Sequence, residues 1–355
     1  METHVSSEKG LWLFSRRADF WLACGGASVA LLAAVLLILW HGDREIDAMD
    51  FVLSEFHLGA TYDAIIRRRL WRSRQSDVVL IPLVILALTY ALSMNGQTIW
   101  LTSIALYAAI WHRGRQNFGV ARFYQRGMGG PVSQTHDFLF RGAIYLPMAA
   151  ATLAYTHRVT TDFEGKPYLA LNLGAEMTWL IGFVAVICVT AYLALTLRQT
   201  LGLHVIASSQ NAGRLIHPGE WWIVLAHAVA FGSAYVLGAR NASFLLVLAV
   251  YHEIQYLYFT YAMARRTAIN CATSRKATDQ ATNDLDPQGS FSAGRLLPTE
   301  IKFAASFLVW PVIGFTGAIF GSWAQLPWLA PLGIGGLFCH YWFDGRIWTR
   351  RSFKN

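Results

Sequence analysis

The feature that most constrains this chain is a recurrence of long apolar runs, at about 18–40, 77–95, 98–112, 137–156, 177–197, 220–239, 242–264, 301–324 and 326–348. An apolar run of about 20 residues matches the hydrocarbon thickness of a bilayer. Inside lipid the backbone must satisfy its own polar groups, which favours helices. Only 14% of the 355 residues are charged and 55% are hydrophobic, too little charge to cover a soluble protein of this length. The expectation is an all-α, polytopic helical bundle forming a single membrane domain over 1–355, in the cell (inner) membrane. The N-terminal run is too long for a signal-peptide core and no clear cleavage site follows it, so it reads as a retained first span.

A further segment, 50–66, is shorter and more polar. Charge decides its role, because Lys and Arg collect on the cytoplasmic side. If 50–66 crosses, the chain has about ten spans with both termini cytoplasmic. Arg67, Arg68, Arg69, Arg113, Arg115, Arg122, Arg265, Arg266, Arg350 and Arg351 then share one side, and Arg44, Arg158, Lys166 and Arg240 lie on the other. If it does not cross, the separation collapses. The net charge of +8 is thus mainly topology, and nucleic acid is not an expected partner. The loop 265–299, polar and poor in aromatics, reads as a mobile cytoplasmic connection. No cysteine pair has CxxC spacing, so Cys24, Cys188, Cys271 and Cys339 read as small hydrophobes.

Ionisable side chains within spans are costly and are functional candidates by default. The topology puts His4, His136, His204 and His217 in cytoplasmic segments, and His41 and His157 at the opposite ends of spans, all expected at the surface or interface. His57, His112, His227, His252 and His340 remain, at depths that let them converge in the cytoplasmic half of the bundle. Their contexts carry further polar groups. "FHLGATYD" places Thr61 one turn after His57, and "WHRGRQNFG" places Gln116 on the face of His112. "YHEIQYLYF" puts Gln255 and Tyr256 beside His252, with Glu253 about 100° around. "GLFCHYWFDGRIWTRR" sets His340 and Asp344 one turn apart.

Neutral imidazoles from different helices make a metal site for iron, copper or zinc. His57, His112, His252, His340 and His227 are the candidate ligands. For His227, in "LAHAVAFG", the plain alternative is a hydrogen bond across helices. Asp344 and Glu253 are candidates to orient imidazoles or bind metal directly, and Gln116 and Gln255 to orient ligands or O2. Asp344 also stands near arginines with which it could pair. HExxH, GxSxG and Walker-type sequences are absent.

With these residues in view, the chain resembles the Brp/Blh family of membrane β-carotene dioxygenases, through "FHLGATYD", "WHRGRQNFG" and a later intramembrane histidine. The resemblance implies a polytopic protein whose histidine-ligated non-haem iron cleaves a carotenoid with O2. It implies iron ligation by His57, His112 and His252. The chain departs from the family at residue 256, a tyrosine where a paired histidine is expected, which leaves His340 to supply the missing ligand and puts the specific carotenoid reaction in question.

The leading expectation is a membrane oxygenase with O2 as co-substrate, a lipid-like or isoprenoid substrate, membrane lipids around it and an electron donor as a further partner. A haem-binding electron-transfer protein and a proton-coupled transporter using the intramembrane His, Asp and Glu are the competing readings.

Overall fold

The computed structural model describes residues 12–28, 31–32, 36, 57–62, 65, 72, 74–163, 166–200, 216–283 and 330–347. These residues are almost entirely helical. The elements are α1 (Arg16–Ala18, continued by a π-helical turn, Asp19–Ala23), α2 (57–62), α3 (Ser76–Met94), α4 (Thr98–Gly127) and α5 (Gln134–Arg158). After them come α6 (Ala175–Thr200), α7 (Pro218–Phe231, continued by a π-helical segment, Gly232–Leu237), α8 (Leu245–Asn283) and α9 (Ala330–Ile347). A two-stranded antiparallel ribbon, β1 (Asp162–Phe163) and β2 (Lys166–Pro167), lies between α5 and α6.

Local chemistry sets the helix starts. Ser133 caps α5 by accepting from the His136 N–H at 3.0 Å, with Asp137 in the first turn. Pro218 opens α7, where the His217 side chain accepts from Gly219 N–H at 2.9 Å. Gly96, at φ +69°, makes the tight turn between α3 and α4, a conformation that favours glycine.

Among the described residues, four helices are long and apolar enough to cross a membrane: Ser76–Met94, Gln134–Arg158, Ala175–Gln199 and Pro218–Leu237. Their surfaces differ. α3 and α6 leave large hydrophobes outward, among them Leu83, Leu88, Trp179, Phe183 and Val186. In water such faces would be a liability, whereas lipid solvates them. α5 and α7 instead bury much of their surface, packing with α4 and α8 around Phe140, Ile144, Tyr192, Ile223 and Val224 and, in a neighbouring cluster, Leu106, Phe231, Tyr235 and Tyr251.

The expected span 301–324 and the start of 326–348 lie outside the described residues, as do part of 18–40 and most of 50–66, so the figure of ten spans is not reached by the four helices above. The expected loop 265–299 begins as helix instead: α8 continues to Asn283, and 284–299 lies outside the described residues. Two histidines expected at the surface are in the interior. His136 and His217 are 0% and 1% exposed. His136 Nε2 stands 3.0 Å from Glu220 Oε1, an ion-pair distance without hydrogen-bond alignment. His217 stacks on Tyr124, with ring centroids 4.8 Å apart.

Candidate metal centre

Four helices bring their polar residues to one buried place. α2 carries His57 and Thr61 on one face. α4 runs unbroken through Gly114 and so keeps His112 and Gln116 one turn apart. α8 contributes His252 and Tyr256, and α9 contributes His340 and Asp344. Every one of the imidazoles at 57, 112, 252 and 340 is buried, and so is Asp344.

His57, His112, His340 and Asp344 each offer one ligand atom, and these four atoms all lie within 4.8 Å of one another. His57 Nε2 and His340 Nε2 are 2.7 Å apart. Asp344 Oδ2 stands 3.5 Å from His112 Nε2 and 3.6 Å from His340 Nε2. Donors bound to one ion at about 2.0–2.2 Å stand about 3–3.5 Å from each other, so to hold a single metal the close His57–His340 pair would open and the wider pairs of this set, which spans up to 4.8 Å, would draw in. A mixed set of imidazole and carboxylate suits iron, zinc, copper or manganese. His252 flanks the group, its ring centroid 4.7 Å from that of His57 and 4.9 Å from that of His112. Its Nδ1 is buried with no hydrogen-bond partner among the described residues.

The hydrogen bonds around the group fix which atoms face inward. Tyr256 O–H donates to Asp344 Oδ1 at 2.7 Å, and Thr61 O–H donates to the same oxygen at 3.0 Å. Thr61 Oγ1 also lies 2.9 Å from His340 Nδ1 and 2.6 Å from the Tyr256 hydroxyl. Having one proton, already given to Asp344, Thr61 accepts from His340 Nδ1–H. In that arrangement His340 carries its proton on Nδ1 and turns its Nε2 lone pair toward the group. His57 Nε2–H then donates to His340 Nε2. His57 Nδ1 becomes a bare acceptor, and it is buried without a partner among the described residues. The Asp344 carboxylate is thus held by one oxygen while the other faces two imidazoles. Among the described residues it meets Thr61, Tyr256, His112 and His340; the side chains of Arg346, Arg350 and Arg351, the arginines near it in sequence, lie outside the described residues, and so does the expected Arg pairing.

Other expected site residues have different roles. His227 is not in the group. Its Nε2–H donates to the Ile144 carbonyl at 2.8 Å, and its Nδ1 accepts from Asn117 Nδ2 at 3.1 Å, so neither nitrogen is left for a metal. Gln116 reaches no imidazole. Its Nε2 donates to the His252 backbone carbonyl at 2.8 Å and to Gln255 Oε1 at 2.9 Å. Gln255 in turn donates to the Ala23 carbonyl at 2.7 Å and to the Tyr251 hydroxyl at 2.9 Å, and Tyr251 donates to Asn117 Oδ1 at 3.1 Å. These amides fasten α8 to α4 and α1 instead of pointing at ligands or O2. Glu253 is buried but lies outside the four-atom group.

The roles of Thr61 and Tyr256 as hydrogen-bond partners of Asp344 and His340 were beyond sequence reasoning, although both residues sit on the expected faces. Asp19 went unnoticed as well: it is fully buried and accepts from Leu13 N–H (2.6 Å), Phe14 N–H (3.1 Å), Tyr124 O–H (2.7 Å) and Tyr258 O–H (2.5 Å). A carboxylate opening an apolar run was its signal. No protein-family model, curated protein or solved structure matches this chain.

Proposed function

We propose that the chain is a membrane-embedded, metal-dependent oxygenase in which His57, His112, His340 and Asp344 hold a non-haem iron, with His252 as a further ligand. The convergence of four buried ligand atoms within 4.8 Å carries this reading. Three imidazoles and a carboxylate meeting at a point are what a single ion needs, whereas a bis-histidine haem needs its two imidazoles on opposite faces of a macrocycle. Iron bound there supplies a redox centre for O2 chemistry. Thr61 and Tyr256 hold Asp344 and His340 in register for it, and the apolar helices keep water from reactive species.

The motifs "FHLGATYD" and "WHRGRQNFG" support a Brp/Blh-like relationship and an isoprenoid or carotenoid-like substrate that enters from the bilayer. The outward apolar faces of α3 and α6 support a place in the cell membrane. Anaerobic purification followed by metal analysis, an optical spectrum and O2 uptake with candidate lipids tests the reading. Stoichiometric iron without a Soret band, and lipid-dependent O2 uptake, are expected. A Soret band, or O2 uptake unaffected by removing the metal with a chelator, contradicts it.

A further inference from the structure

A second cluster lies between α4 and α5, on side chains outside the metal group, with Arg115 one turn from His112 along α4. The guanidinium carbons of Arg115, Arg122 and Arg141 stand 5.6, 4.9 and 6.0 Å from the centroid of one ring, that of Phe118. Arg122 and Arg141 both pair with Asp137, the latter at 2.9 Å. Arg115 has no carboxylate partner among the described residues. Its polar contact is the donation from Nη1 to the Tyr145 hydroxyl at 3.2 Å. Three cations thus gather around one aromatic ring, with one carboxylate paired to two of them.

Like charges held this close repel, and the repulsion grows where a membrane lowers the dielectric. The aromatic faces stabilise each guanidinium singly but do not cancel the repulsion. A bound anion would. The cluster also offers what the rest of an amphiphile needs. Trp111, 53% exposed, stacks on Tyr145 with centroids 5.5 Å apart and planes at 17°, just below the arginines. An indole that leaves half its surface outward beside a ring of cations is the arrangement of a membrane–water boundary. α5 starts at Gln134, so Arg141 lies at the edge of a helix apolar enough to span. Arg115 is exposed and Arg141 is 57% exposed, so both are reachable from outside.

We infer that this cluster binds the phosphate headgroup of an anionic phospholipid. Arg115 and Arg141 grip the phosphate oxygens, and the Trp111–Tyr145 stack lies along the glycerol and upper acyl chain. Guanidinium suits this task because its planar fork of donors matches phosphate oxygens in pairs. Basic pockets between spans near the cytoplasmic surface recognise lipid headgroups in this way. The inference rests on reading α5 as a span and is independent of the metal.

The test is native mass spectrometry of the full chain, equilibrated with mixed micelles of equal phosphatidylglycerol and phosphatidylcholine. The wild type should retain phosphatidylglycerol over phosphatidylcholine by roughly thirtyfold, as two arginines near a membrane surface would give at about 1 kcal/mol each. Arg115→Gln with Arg141→Gln should bring the two lipids to near parity, while Arg115→Lys with Arg141→Lys keeps part of the preference. Both side chains are exposed, and an unchanged melting temperature separates loss of the site from loss of fold. Equal retention of the two lipids by the wild type overturns the inference. So does a preference that survives the double Gln substitution. Displacement by inorganic phosphate as readily as by added phosphatidylglycerol overturns it too, because the site would then belong to a soluble anion. Iron content is read from the same samples, so failure here and failure of the oxygenase reading are told apart.

Discussion

Asp19 and Asp344 are both buried carboxylates, yet they are treated in opposite ways. Asp19 takes four donors, two backbone N–H groups and two tyrosine hydroxyls, shared between its two oxygens. Asp344 takes two donors on Oδ1, while Oδ2 faces the imidazoles of His112 and His340 at 3.5 and 3.6 Å. The histidines repeat the contrast. His227 has both nitrogens matched, to Ile144 and Asn117, whereas His112 Nε2, His57 Nδ1 and His252 Nδ1 are buried without hydrogen-bond partners among the described residues. Burial is common to both regions, so it does not separate structure from function. Satisfaction does. A matched network stabilises the bundle, whereas buried ring nitrogens left unmatched around Asp344 cost stability and are open to a ligand that could bind there.

The strongest way to break this contrast is to treat the two carboxylates alike. Asp19→Asn sets an NH2 group against two of its four buried donors and should cost about 2–5 kcal/mol, read as a fall in the unfolding midpoint in detergent. Asp344→Asn in the metal-free protein should change the midpoint far less, by about 1 kcal/mol or under, since only Oδ1 is engaged in matched bonds. Equal losses would erase the distinction.

The next effect concerns the residues behind the ligands. Thr61→Val and Tyr256→Phe leave every proposed ligand in place but release Asp344 Oδ1 and, for Thr61, the His340 tautomer. Each should weaken metal binding by about 10–100-fold in a competition titration. Thr61→Ser should restore most of it by keeping the hydroxyl. Unaltered affinity in both would show that the hydrogen bonds serve packing alone.

Smaller again is His227→Ala, which leaves the Asn117 amide without its acceptor and should destabilise by about 1–3 kcal/mol while metal content stays at the wild-type level. Loss of metal in this variant would return His227 to the ligand set. The smallest expected change is in His57→Phe studied without metal. It removes the unpartnered Nδ1, so the melting temperature should hold or rise slightly. A large drop would mean that the His57–His340 bond is itself a structural element.

Much of the centre was legible because an imidazole inside an apolar run has few cheap explanations. "FHLGATYD", "WHRGRQNFG" and the His340–Asp344 spacing each put the right groups on one face, and the fold brings those faces together. His227 was not separable in the sequence, because whether it meets Asn117 or a metal depends on how α7 is rotated against α4. Gln116 lay on the correct face but one turn too far along, so it reaches the His252 carbonyl and not a ring. His136 and His217 were misplaced because hydropathy finds where an apolar run stops, not where protein packing stops: helix ends at the edge of a bundle are still covered by neighbours. The helical reach of α8 to Asn283 was hidden by its Thr and Asp residues, although Ala, Arg, Lys and Gln are interspersed and favour helix.

The central claim is that His57, His112, His340 and Asp344 form one metal site, and metal stoichiometry by mass spectrometry tests it most directly. The wild-type chain and a His57→Ala, His112→Ala, His340→Ala triple variant would be purified side by side from iron-supplemented cells. Near one iron per wild-type chain, and only background iron in a triple variant that still melts cooperatively, is the predicted result. A wild type without metal, or a triple variant that retains its iron, would contradict the account.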